Sequence, residues 1–211
     1  MRDIPVFTTD FGVASLALKE IPYRGEGYIT VQAVQPGRLA EHIRECAAFC
    51  RMAGAEKVYA RGEDLEDWPL HTAVYEMRGT ARVDPDKLEH LFPVTEETAA
   101  RWRTIYNDRM AGVDNAATLE TRDEEKLGEG AYFIHHAGEL LGIGWLEDTR
   151  VLAVASVKPG AGERVMHTLM SLVEGADVTL EVASTNTRAI RLYERLGFLK
   201  TGEKSRWHRI L

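Results

Sequence analysis

Two residues twelve positions apart, Glu181 and Tyr193, carry the sharpest chemistry in the chain, inside the segment Leu180 to Phe198, LEVASTNTRAIRLYERLGF. A carboxylate takes up a proton and a phenol gives one away. Such a pair suits the attack of a deprotonated amine on a thioester, where the amine must shed a proton and the leaving thiolate gains from receiving one. Taken alone, the same two residues more readily describe a solvated strand position and a half-buried aromatic. Their surroundings decide between these.

In Val178-Thr179-Leu180-Glu181-Val182, apolar residues alternate with Thr179 and Glu181, which reads as a strand with one face in a core and a carboxylate on the other. The next helix starts near Asn186, a favoured cap, and buries Ala189, Leu192 and Leu196 on one stripe. It stops at Gly197, the usual residue for a left-handed close. Tyr193 falls near the far end of this strand-turn-helix hairpin, where phenol and carboxylate are expected to face one cleft. One strand earlier, the turn Gly160-Ala161-Gly162 joins a Val-rich strand to a helix with the stripe Val165, Leu169, Leu172. Unsatisfied amides and the positive dipole end of a helix bind anions, and glycine lets backbone approach them closely. Beside the turn, Lys158 supplies charge, Val157 offers no side-chain donor, and Glu163 lies near the place of a bound phosphate.

NTRAIRLYERLGF resembles the motif of the GNAT superfamily of acyl-CoA N-acyltransferases, with Asn186, Ala189, Tyr193, Gly197 and Phe198 in its five places. With Leu180-Glu181-Val182 in front, the stretch is similar to the enzymes that acetylate the N-terminal alanine of a small-subunit ribosomal protein. The resemblance implies Glu181 as general base and Tyr193 as general acid. It implies acetyl-CoA as cosubstrate in a splayed gap between the strand ending at Val157 and the strand carrying Glu181, with pantetheine on backbone groups near Ala155 to Val157. The pyrophosphate falls to Gly160, Ala161 and Gly162 with Lys158 and Glu163, and Asn186 and Tyr193 complete the cofactor-binding set. The family writes Arg or Gln where Val157 stands, a departure.

The implied acceptor is a primary amine, whether a small molecule, a peptide N-terminus or a lysine. In such folds the region equivalent to Trp102 to Gly130 shapes its pocket, and here Asp108, Asp114, Glu120, Asp123, Glu124 and Glu125 would draw a cation. An alternative of another class, prompted by Val157 and Glu163, is an acyl-CoA-binding sensor or scaffold without turnover.

Tyr28 to Arg61 can be laid over Leu152 to Ser184: strand, Val-x-Pro-Gly, amphipathic helix, Gly-Ala and an acidic residue, strand. The signatures are Val34-Gln35-Pro36-Gly37 and Val157-Lys158-Pro159-Gly160. Residues 1–80 thus read as a degenerate GNAT-like half and 85–211 as the acetyltransferase domain, with Gly79 to Glu89 as boundary. Strands are expected over Val13 to Ile21, Tyr28 to Val34, Lys57 to Arg61 and Leu70 to Arg78, with Pro22 to Gly27 a hairpin turn. Beyond the boundary come a helix from Thr95 with Ala99, Trp102, Ile105, Tyr106 and Met110 at helical spacing, and a weaker helix over Asn115 to Leu127. The hairpin Tyr132 to His135 and Glu139 to Leu146, turning at Ala137-Gly138, and the strand Arg150 to Val157 follow. The class is α/β (α+β): a GNAT-like mixed antiparallel and parallel sheet flanked by helices, in tandem with an incomplete N-terminal copy.

Composition bounds the partners. Apolar residues at 45% and charged ones at 28% are ordinary for a globular chain. Twenty-six Lys plus Arg against 33 Asp plus Glu, a net charge of -7, is a poor footprint for nucleic acid. Cys46 and Cys50 lie on one helix face and read as small buried apolar residues with reduced thiols. The adjacent His135 and His136 point to opposite faces of a strand, His167 and His208 are isolated, and no metal set is expected. No apolar run of membrane-spanning length and no secretory leader is read, giving a cytoplasmic expectation with no membrane partner. Monomer and homodimer both stay open.

Overall fold

The computed structural model describes residues 5–211. The chain divides into two compact units, one running up to Ala73 and including Lys204–Leu211, the other Val74–Glu203. The division falls inside a strand and not in the Gly79 to Glu89 stretch, because the alternation of that strand carries on through Arg78-Gly79-Thr80.

The first unit holds β1 (Val6–Thr8), β2 (Gly12–Ala17), α1 (Ile21–Arg24), β3 (Glu26–Val34), α2 (Leu39–Met52) and β4 (Lys57–Arg61). β2 and β3 are antiparallel, so the hairpin expected there exists. Its connection, however, is the single helical turn α1: Pro22 lies where a missing N–H costs a helix nothing, and Gly25 closes it. β3 and β4 pair in parallel from Glu26↔Lys57 to Thr30↔Arg61, the full length of β4. Between them α2 buries Ile43, Cys46, Ala47 and Cys50 against Ala14, Leu16, Ile29 and Val58. Both cysteines are free and buried, as their spacing suggested.

A polar chain runs through this core. The Thr9 hydroxyl accepts from the amides of Phe11 and Gly12, so its own proton goes to His42 Nδ1, 2.8 Å away. Burial holds the His42 imidazole below its ordinary value of 6.5, against opposing contributions from the Val13 backbone and Glu45. A histidine kept neutral in the fold and free to protonate when unfolded destabilises the fold as acid is added. Stability of the first unit is expected to be full above about 6.5 and to fall as pH drops from there toward the lowered folded value. Urea unfolding at pH 7.5 and 5.5 checks this, with His42→Gln losing part of the slope.

The second unit takes in β5 (Leu70–Thr80) from Val74 on, β6 (His90–Pro93), α3 (Glu96–Met110), β7 (Ala131–His136), β8 (Glu139–Glu147), β9 (Arg150–Ser156), α4 (Gly162–Met170), β10 (Asp177–Ala183), α5 (Thr187–Arg195) and the start of β11 (Leu199–Arg209). The strand order is β11-β5-β10-β9-β8-β7-β6. From β5 to β6 in this order, β9 with β10 is the parallel pair and the other pairs are antiparallel, giving the mixed sheet that the element order called for. On one face Met166 and Leu169 of α4 and Tyr193 of α5 pack with Val178, Leu180 and Val182 of β10. Trp102 and Tyr106 of α3 form a separate core with Phe133, Ile143 and Ala153. α3 starts as the sequence indicates, the Thr98 hydroxyl accepting from the Thr95 amide at 2.9 Å. The weaker helix over Asn115 to Leu127 is not α-helical: Asn115 sits in a turn, residues 116–120 have no regular structure and Thr121–Gly128 winds as 3-10 turns. Leu127 alone is buried in that stretch, too little to hold an amphipathic helix.

Candidate active site

The parallel ladder between β9 and β10 is short. It pairs Thr179 with Arg150 and Leu180 with Val151, after which β9 runs on to Ser156 and β10 to Ala183 with no further pair between them among the described residues. β9 stays fully paired to β8 on its other side, from Gly142↔Ser156 to Glu147↔Arg150. The backbone edge of β9 that faces β10, through Ala155, is therefore open for hydrogen bonding to an extended ligand.

The open edge leads into the turn before α4. Gly160 takes φ 80°, a left-handed conformation with nothing within 4 Å of where a side chain would begin. Gly37 in the first unit, laid against it in the sequence reading, takes φ 75° in equally open space. Ala161 is the N-cap of α4, and no side chain caps the first-turn amides. That leaves the donors of Gly162, Glu163 and Arg164 available to an anion. α4 can lie close to the sheet because a side chain on Gly144 would meet Leu169 Cδ1 at 2.8 Å.

The charges around the turn are largely matched. Lys158 Nζ donates to Glu139 Oε2 at 2.8 Å, so it reaches a ligand only by leaving that partner. Glu163 accepts from Lys87 Nζ at 2.6 Å, and this bond holds its carboxyl below the usual carboxylate range. The repulsion that Glu163 would offer a phosphate is offset by a lysine 76 positions away in sequence. Arg164 pairs with Glu89, which also binds His136 Nδ1 at 2.7 Å. Val157 contributes backbone only: its amide donates to Leu141 O and its carbonyl accepts from Arg109 Nη2 at 3.2 Å.

Tyr193 and Glu181 approach β10 differently. Tyr193 is 7% exposed in the core formed by Val178, Leu180 and Val182. Burial alone pushes its phenol up to about 12, so it stays protonated at neutral pH. Its hydroxyl has no hydrogen-bond partner among the described residues, nor is it among the sealed, unpartnered polar atoms, so it meets solvent. Glu181 alternates with the core residues and projects from the opposite face, where Arg150 Nη2 donates to its Oε1 at 2.7 Å. The two do not share one face of the strand as expected; the period-two alternation that buries Leu180 and Val182 turns Glu181 away. Asn186 acts as the helix cap its position suggested, its Oδ1 accepting from the Ala189 amide at 3.2 Å.

Residues 157–208, from the turn before α4 to β11, match the family model described as FR47-like protein. The mycothiol acetyltransferase of Mycolicibacterium vanbaalenii is 25% identical over 178 residues, 75% of this chain and 58% of that protein. These matches support a GNAT superfamily assignment, carried by the GNAT-related family model over residues 157–208. The chain spans little more than half the length of that curated relative. A GCN5-related N-acetyltransferase from Sphaerobacter thermophilus superposes with TM-score 0.54 at 16% identity, covering 93% of this chain and 75% of that one. A conserved protein of unknown function from Staphylococcus epidermidis superposes with TM-score 0.60 at 10% identity, covering 99% and 94%. At these identities the solved structures share the fold.

The end of α3 and the segment after it bond to residues that follow β9 and β10. Arg109 reaches the Val157 carbonyl beyond β9, and Asp114 Oδ2 accepts from the Thr185 hydroxyl beyond β10 at 2.7 Å. The carboxylates expected to attract a cationic acceptor are mostly engaged within the segment: Glu124 with Arg103 at 2.6 Å, Glu120 with Arg122 at 2.6 Å, and Asp123 with the Glu120 amide at 2.9 Å. Sequence reading missed Arg109, Arg150 and Lys87, all long-range partners with no local signature. No group of three or more metal-ligating side chains occurs among the described residues, and no helix is long and apolar enough to cross a membrane. His208 packs, its Nδ1 hydrogen-bonded to the Trp68 carbonyl at 2.8 Å.

Proposed function

We propose that the Val74–Glu203 unit transfers an acetyl group from acetyl-CoA to a primary amine. The observation that carries this reading is the early end of the β9–β10 ladder, which leaves an open strand edge running into the uncapped N-terminus of α4. Pantetheine would pair with β9 backbone through Ala155 to Val157, and the pyrophosphate would take the amides of Gly162, Glu163 and Arg164 beside Gly160 and Ala161. Bound acetyl-CoA supplies an activated thioester. The amine nitrogen attacks its carbonyl carbon, the C–N bond forms and the C–S bond breaks. The Tyr193 hydroxyl, protonated and without a hydrogen-bond partner among the described residues, gives its proton to the departing sulfur. Glu181, on the face of β10 away from Tyr193, is the candidate to take the amine proton, directly or through water.

The first unit reads as a degenerate copy. β3–α2–β4 repeats β9–α4–β10 with the same left-handed glycine, yet β4 is paired along its whole length and offers no gap. Free buried thiols at Cys46 and Cys50 support a cytoplasmic location. The Arg150–Glu181 ion pair favours a second reading, an acyl-CoA-binding sensor, because it occupies the carboxylate.

Acetyl-CoA at a hundred to a thousand times its Kd is expected to stabilise the protein by about 2.7 to 4 kcal/mol, read as a raised melting temperature. Free thiol released in the presence of an amine library separates enzyme from sensor. No stabilisation removes both readings.

A further inference from the structure

Lys158, Lys87 and Arg164, the cations beside the turn before α4, are already engaged, with Glu139, with Glu163 and Asp84, and with Glu89. The neighbouring helix α5 carries three that are not. Arg188, Arg191 and Arg195 are exposed, and none has a hydrogen-bond or ion-pair partner among the described residues. Spaced three and four apart, they form one row along the helix, about 10 Å long at 1.5 Å per residue. Like charges at these spacings disfavour a helix, a cost that an anion shared between them removes. Leu192 follows Arg188 by four positions and precedes Arg195 by three, so it sits beside that row on the helix surface. A side chain on Gly162 would meet Leu192 Cδ2 at 3.1 Å, so the Leu192 flank of α5 lies against the first residue of α4. Charge agrees with this placement: after the bond from Lys87, Arg195 is among the cations that hold the Glu163 carboxyl low. The arginine row therefore borders the turn whose uncapped amides continue the open edge of β9.

We infer that Arg188, Arg191 and Arg195 bind a phosphate monoester, the 3′-phosphate of the coenzyme, and make the protein selective for donors that carry it. The phosphates of the pyrophosphate bear one charge each and fit the turn, where backbone amides and a helix dipole suffice. A phosphate monoester bears about two negative charges at neutral pH and three acceptor oxygens, which suits planar guanidinium forks better than neutral amides. In coenzyme A this group sits on the ribose that is joined directly to the pyrophosphate. An anion at the turn thus brings the monoester within reach of long side chains on the adjoining helix. The inference rests on the reading of the turn as the pyrophosphate site and adds a second, side-chain contact to it. The three arginines set donor selectivity and take no part in the bond-making step.

Calorimetry on the full chain compares acetyl-CoA with acetyl-3′-dephospho-CoA, which keeps thioester, pantetheine and pyrophosphate and lacks only the monoester. Wild type is expected to bind acetyl-CoA roughly tenfold to a hundredfold more tightly, the effect of one or two hydrogen bonds to a charged group. That ratio should shrink as salt is added, since the row is exposed. Arg191→Gln combined with Arg195→Gln is expected to bring the ratio toward one, and adding Arg188→Gln to remove what is left. Arg191→Lys with Arg195→Lys keeps the charge and loses the fork, and should fall between. Because the three side chains are exposed and unpartnered, the apo variants should melt as wild type does. Equal Kd for the two donors in wild type, or a triple glutamine variant that keeps the ratio, overturns the inference and leaves the pyrophosphate reading standing. A ratio lost only in variants whose apo form melts well below wild type also overturns it, since the arginines then hold the fold. Binding of neither donor removes the inference together with the acetyl-CoA reading.

Discussion

Tyr193→Phe is expected to lower kcat for acetyl transfer by about a hundredfold or more, the usual worth of a positioned proton donor, while acetyl-CoA still raises the melting temperature as in wild type. The split follows from the geometry. The phenol ring packs with Leu180, Val182 and Phe198, and phenylalanine keeps those contacts. The hydroxyl binds no described protein group, so its removal leaves no orphaned partner and costs the fold little. Loss of rate with retained binding therefore isolates proton delivery. A variant with unchanged kcat removes Tyr193 from the reaction, and one that no longer binds acetyl-CoA makes its role one of shape.

Trp102→Ala should cost about 3 to 5 kcal/mol in urea unfolding of the second unit, the range for truncating a fully buried large aromatic. Trp102 is 0% exposed, lies 5.6 Å from the Tyr106 ring and 6.1 Å from Trp145, and donates from Nε1 to the Tyr132 carbonyl at 3.0 Å. It fastens α3 to β7, and α3 carries Arg109 to the end of β9. Trp102→Phe keeps most of the apolar volume and removes the donor, and should lose about a third of that. A loss below about 1 kcal/mol for the alanine variant would mean that α3 is not held by this residue.

The sequence made the regular parts of the site readable because their signals are local. The Asn186 cap, the α5 stripe, the glycine turn before α4 and the β-α-β units each show within a dozen residues, and the helices and strands formed where those signals lay. The pairing of Glu181 with Arg150 joins residues 31 positions apart, and that of Lys87 with Glu163 residues 76 apart; nothing in either neighbourhood announces them. Alternation was legible in Val178 to Val182, yet the expectation of one cleft for Glu181 and Tyr193 overlooked what it implies once Tyr193 joins the Leu180 face. The 115–120 stretch misled for a different reason: its polar residues suit a helix, but it has little apolar surface to bury.

β11 sets an order of events. It begins in the second unit and ends in the first, where Ile210 and Leu211 pack against the α2 core and the Ile210 amide donates to Val58 O at 2.8 Å. The unit that leaves the ribosome first therefore lacks part of its core until everything from Val74 to Glu203 has been synthesised. Its nascent form must wait, with apolar surface uncovered, while the later-born unit folds from an uninterrupted segment. A fragment ending near Ala73 would meet the same shortage permanently, so the amino-terminal unit is not a piece that can be cut out and studied by itself.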